Sequence, residues 1–311
     1  MTNQRMTNQP SNQSEPRKDL LPFIILAVLS LIWGSSFILM KRGLEVFAPM
    51  QVAALRIAIS GVVLFPFAVW GLKSLDKRHL PYLLLCGALG NGIPAILFST
   101  AQRYINSSTS ALLNSLTPLS TLLIGVLVFR VVVERAQVLG VLIGFVGATL
   151  LVVAARGETM TTEASWYAML PVAATVCYGL NANIVSRLLK GIPPMTINSI
   201  AVSGVTIFFF LPYLIWSGFF TEALPQAQSH PMFSVAILSI IGLSVLGTAL
   251  SNALFTHLIQ ISSPVFSSSV TYLIPIVAMV WGVLDGEHLT ALHYIGIVVI
   301  LAGIYLVNKR K

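Results

Sequence analysis

Apolar residues in this chain neither alternate nor stripe; they run. Runs of about 20 apolar residues follow one another to the end, the length a helix needs to cross a ~30 Å hydrocarbon core. They fall at about 21–40, 51–72, 80–101, 108–129, 136–155, 166–187, 195–216, 232–255, 264–284 and 290–307. The pattern predicts an all-α membrane protein with ten transmembrane helices. The connections are too short for a soluble catalytic domain. Residues 1–20 are rich in Asn, Gln, Ser and Pro and predict a disordered tail. The hydrophobic run behind them is too long for a cleavable signal peptide.

The runs also repeat. In 105–152 and again in 262–307, small hydroxyl residues lead to a proline (Pro118, Pro275), and glycines follow at matching intervals (Gly140 and Gly147; Gly296 and Gly303). The first and sixth spans match through Trp33-Gly34 and Tyr178-Gly179. The second and seventh open on Pro49-Met50 and Pro194-Met195, and the third and eighth share Leu97-Phe98 and Leu254-Phe255. The charged turns agree less well, because Glu134 comes later after its proline than Glu287 does. The chain therefore reads as a tail (1–20), a first repeat (21–155), a linker (156–165) and a second repeat (166–308). Five spans per copy is an odd number, so the second copy enters the membrane inverted. Inverted repeats place a binding site near the midplane and make alternating access a consequence of symmetry.

Composition agrees with the runs. Of 311 residues, 56% are hydrophobic and 9% charged, against about 25% charged in a soluble protein. The net charge of +8 does not ask for nucleic acid, because thirteen of the eighteen Lys and Arg fall on the side of both termini and four opposite. That bias predicts both ends on the cytoplasmic side of an inner membrane. Cys86 and Cys177 both fall within spans, and the histidines are scattered, so no metal site is expected.

Charge inside the spans is scarce. Arg56 is the one ionised residue well within a run, and it either anchors its helix or meets a solute or gate. None of the ten carboxylates lies in mid-span, which argues against a buried acid shared by proton and drug. Facilitated diffusion remains, or coupling through a histidine or a helix-end acid such as Asp285.

The ordered set of motifs resembles the drug/metabolite transporter superfamily, EamA type, in which two five-helix EamA domains form one bundle. It comprises Trp33-Gly34-Ser35, Lys41, Leu55-Arg56, the hydroxyl-rich runs to Pro118 and Pro275, and Gly286-Glu287. The first copy departs from it, with Val133-Glu134 where the family has Gly-Glu. The resemblance covers residues 20–308 and implies an exporter of amino acids, other metabolites or drugs. It implies no enzyme.

Polar residues cluster in particular spans. Ser110, Asn114 and Thr117 share one helix face, which either glues helices together or lines a path. Trp33, Tyr178, Tyr272 and Trp281 either pack or give a cavity an aromatic lining. The candidate solute-binding set is Trp33, Ser36, Arg56, Asn91, Asn114, Tyr178, Asn181, Asn252 and Tyr272. The first, third, fourth, sixth, eighth and ninth spans should line the path, with the fifth and tenth at the periphery. Pro94, Pro118, Pro264 and Pro275 are hinges or inert kinks, and the glycines of the fifth and tenth spans serve packing or dimerisation. The expected partners are a small-molecule substrate and the lipid bilayer, with no nucleic acid and no cofactor, in a monomer or homodimer. The alternatives are proton-exchange efflux of organic cations and a channel-like pore.

Overall fold

The computed structural model describes residues 20–105, 107–154, 166–284 and 291–308. Among these the chain is all helical. The main helices are α1 (Leu21–Leu44), α2 (Pro49–Ser74), α3 (Lys77–Ala101), α4 (Ser107–Asn114), α5 (Thr117–Leu127), α6 (Arg135–Ala154), α7 (Met169–Leu188), α8 (Pro194–Trp216), α9 (Phe233–Ile261), α10 (Pro264–Ser268), α11 (Val270–Leu284) and α12 (Ala291–Asn308), with a short helical segment, Phe219–Ala223 and Leu224–Gln228, between α8 and α9. Six of them, α1, α2, α3, α7, α8 and α9, are long and apolar enough to cross a membrane. The other predicted spans fall on shorter apolar helices or on broken pairs. Large apolar side chains face outward: Phe208 is 74% and Trp216 83% exposed, an arrangement that suits lipid and not water. The tail through Asp19, the linker 156–165, and Asp285, Glu287 and His288 lie outside the described residues, as does the side chain of Trp281.

The breaks have local causes. Pro118 has no N–H, and the residue before it is disfavoured in a helix, so the fourth run splits into α4 and α5 between Asn114 and Thr117. The Thr117 hydroxyl donates to the Asn114 carbonyl at 2.6 Å. The ninth run breaks at Ser269, ahead of Pro275, which sits inside α11. There Ser268, Ser269 and Thr271 each donate back to a carbonyl three residues earlier, offering the backbone an alternative to the helix ladder. α3 and α9 each carry a wide π-helical turn, at Ala88–Gly92 and Val245–Leu250. Both turns precede the matched Leu-Phe pairs by the same distance, and both contain Leu-Gly followed by a small polar residue: Leu89-Gly90-Asn91 and Leu246-Gly247-Thr248.

The halves pack on each other reciprocally. α1 lies against α9 and α11; its counterpart α7 lies against α3 and α5; α2 pairs with α8 and α6 with α12. Matched glycines make matched contacts. A Cβ on Gly34 would stand 2.6 Å from Val277, and one on Gly179 would stand 2.9 Å from the Thr121 nitrogen. Gly90 meets the Asn181 side chain where Gly247 meets Ser36. Each element of one copy thus finds its partner in the other.

α6 and α12 meet backbone to backbone along their glycines. A Cβ on Gly140 would stand 2.7 Å from the Gly303 carbonyl oxygen, and one on Gly147 would stand 2.7 Å from the Ile300 nitrogen. The glycine faces of the fifth and tenth spans meet within this chain, which is how small residues let membrane helices close up. Because backbone atoms oppose Gly303, Gly303→Ala should cost about 1–3 kcal/mol of stability. Gly242, whose nearest such neighbour is the Leu39 Cδ1 at 3.7 Å, should tolerate alanine. Thermal unfolding of the two detergent-solubilised variants checks this, and equal midpoints would contradict the packing.

Candidate functional site

The irregular backbone of α3 and α9 faces inward, where non-helical backbone is tolerable in a membrane. α9's π turn is tied down by three other helices. The indole N–H of Trp33 in α1 donates to the Gly247 carbonyl at 3.1 Å and to the Ser251 hydroxyl at 2.9 Å. Arg56 Nε in α2 donates to Thr248 Oγ1 at 2.8 Å, and Asn198 Nδ2 in α8 donates to the Ala249 carbonyl at 2.8 Å. Across from this turn, the Asn252 amide donates to the Asn91 side-chain oxygen in α3.

Trp33, Arg56, Asn91, Asn198 and Asn252 wall a cavity with an open mouth. Trp33, Ser36, Arg56, Asn91, Asn114, Tyr178, Asn181 and Asn252 all line it. So do the aromatic pairs Trp33–Phe255, with centroids 5.2 Å apart, and Phe98–Tyr178, stacked at 6.2 Å. The pairs correspond between the copies: α1 to α9 in one, α3 to α7 in the other. The cavity is bounded by aromatic faces, amides, hydroxyls and one guanidinium.

Tyr272 is elsewhere. Its neighbours Ser268 and Thr271 line the cavity, but one residue further is about 100° around a helix. That turns Tyr272 onto α6, where a Cβ on Gly144 would stand 2.5 Å from its ring. Its hydroxyl donates to the Val141 carbonyl at 2.7 Å, and the residue is fully buried. It serves helix packing.

The sequence reading also passed over α8, which contributes Ile197, Asn198 and Ala201 to the wall. The signal was present in the Pro49-Met50 and Pro194-Met195 parallel, which marks α8 as the counterpart of the helix that carries Arg56. Among the described residues, none of α6 or α12 lines the cavity.

A model of the EamA-like transporter family matches residues 21–153 and 165–309. The "Uncharacterized inner membrane transporter YedA" of Escherichia coli (strain K12) is 25% identical over 301 residues, covering 94% of this chain and 93% of that protein. The "Probable terminal-alkyne amino-acid exporter" of Streptantibioticus cattleyicolor is 25% identical over 294 residues, with 92% of each chain covered. The "Probable amino-acid metabolite efflux pump" of Salmonella typhimurium is also 25% identical, over 295 residues, covering 93% of this chain and 94% of that protein. A crystal structure of a protein 15% identical in sequence shares the fold with a TM-score of 0.69, covering 92% of this chain and 95% of that one.

Tyr272→Phe should lower stability by about 0.5–1.5 kcal/mol, the worth of one hydrogen bond, and leave solute affinity unchanged. Thermal unfolding alongside a ligand-binding titration separates the two effects; altered affinity would return Tyr272 to the cavity.

Proposed function

The chain belongs to the EamA-like transporter family, and we propose that it is a multi-pass inner-membrane exporter of small organic solutes, amino acids or related metabolites, working by alternating access. In this reading all ten apolar runs cross the membrane, both termini are cytoplasmic, and two five-helix repeats (21–155 and 166–308) are mutually inverted. The candidate solute-binding residues are Trp33, Ser36, Arg56, Asn91, Asn114, Tyr178, Asn181 and Asn252, with Asn198 added.

One observation carries the proposal: matched residues of the two halves meet in pairs around one cavity. Gly90 on Asn181 mirrors Gly247 on Ser36, and Phe98–Tyr178 mirrors Phe255–Trp33. Two copies of one hairpin set, inverted and packed reciprocally, can exchange conformations and move the opening from one face to the other. Neither copy has to unfold for this, because the contacts broken on one side have counterparts to form on the other. The amino-acid classes in two relatives' names suit the mixed aromatic and amide chemistry of the wall.

Counterflow in proteoliposomes tests the proposal, with labelled amino acids supplied outside and the same solutes loaded inside. Internal solute should accelerate uptake of label, and flux should saturate. Asn114→Ala and Asn181→Ala should each reduce that flux about tenfold, the effect of a lost solute hydrogen bond of ~1.4 kcal/mol. Non-saturating flux indifferent to internal solute would mean a pore instead.

A further inference from the structure

The cavity carries one charge and nothing to balance it. Arg56 is the only ionisable acid or base of the Asp, Glu, Lys, Arg or His type in its wall. The described ion pairs join other residues, Arg42 with Glu45 and Arg78 with Asp76, near helix ends. Arg56 spends its Nε–H on Thr248, while its two terminal nitrogens have no hydrogen bond to any described residue. A guanidinium inside an apolar span with no carboxylate opposite it is costly, and its two remaining nitrogens are shaped to take two carboxylate oxygens at once.

Resting on the transport reading above, we propose that the solute is an organic monoanion, a carboxylate on a flat or aromatic body, with Arg56 as the receptor for its charge. The carboxylate would pair with the two free guanidinium nitrogens. The body would lie between the Trp33–Phe255 and Phe98–Tyr178 rings, and the amides of Asn91, Asn181 and Asn252 would serve a keto, hydroxyl or amide group beside the carboxylate. Charge decides between this class and its neighbours. A monoanion brings the occupied cavity to neutrality, whereas a zwitterion leaves it one positive charge in excess and sets an ammonium near the guanidinium. An amine brings a second positive charge. In a poorly polarisable interior like charges repel far more than in water. Ring faces do attract cations, but these rings stand in a cavity that is already positive.

A matched series reads this out: 3-phenylpropionate, phenylalanine, phenethylamine and 3-phenylpropanamide, which share a phenyl body and differ in charge. Each is tested for counterflow in proteoliposomes containing the full-length protein. The carboxylate should exchange at least roughly tenfold faster than the zwitterion, and the amine should not exchange. Arg56→Gln should cut carboxylate exchange by roughly 10- to 100-fold, as expected for a lost charged hydrogen bond, and should lower 3-phenylpropanamide exchange by a clearly smaller factor. Arg56→Lys should restore part of the rate through charge alone. If phenylalanine, the amine or the neutral amide exchanges as fast as the carboxylate, the monoanion assignment is wrong. Carboxylate exchange that survives Arg56→Gln removes Arg56 as receptor. Should Arg56→Gln fail to fold, as judged by monodispersity in detergent, the wild-type order of solutes decides the matter alone. If no solute in this series or among the amino acids exchanges, the transport reading itself falls and the monoanion with it.

Discussion

In hydrocarbon, a backbone group without a hydrogen-bond partner costs several kcal/mol, and the centre of this molecule is organised around one turn that would otherwise have such groups. The π turn Val245–Leu250 in α9 loosens the helix ladder. Trp33, Arg56 and Asn198 reach it from α1, α2 and α8, and Ser60 donates to the adjacent Ser244 carbonyl. Three helices are thus fastened to a fourth at one level. The fastening residues are also cavity wall, apart from Ser60. An asparagine such as Asn198 is therefore helix glue and cavity lining at once.

The equivalent turn in α3 is secured differently. Gly90 admits the Asn181 side chain, Gly87 lies against the Ala201 carbonyl, and Asn91 accepts from Asn252. Ala201 stands seven residues after Pro194 in α8, as Arg56 stands seven after Pro49 in α2, so the correspondence between the copies does not extend to this side chain. Packing contacts are matched between the halves; the lining is not, and that gives the cavity its single charge. The wall could therefore discriminate by sign of charge while the scaffold remains balanced.

α6 and α12 stand apart from this arrangement. Their glycine faces close on each other and on the ring of Tyr272, leaving no side chain at the cavity. They couple the ends of the two repeats, a different task from solute recognition, and the residues differ accordingly: glycines where backbones must meet, amides and aromatics where space must remain.

Much of this was legible along the chain. Run length alone dictates helices, because nothing else satisfies a backbone in lipid, and the matched Trp33-Gly34 and Tyr178-Gly179, the Leu-Phe pairs and Pro118 and Pro275 disclosed the repeat. The amides and Arg56 stood out because polar groups in apolar runs have few tolerable places except the interior. What stayed hidden was rotation and backbone detail. Tyr272 sits beside Thr271 in sequence but around the helix from the cavity, and an apolar run has no strong polar face to set the angle. Asn198 lies in the seventh span, which the polar clusters along the chain leave out of the path. The π turns at Ala88–Gly92 and Val245–Leu250 arise where helices from the other half press against glycines, and such contacts between residues far apart in the chain exist only once both halves are folded together.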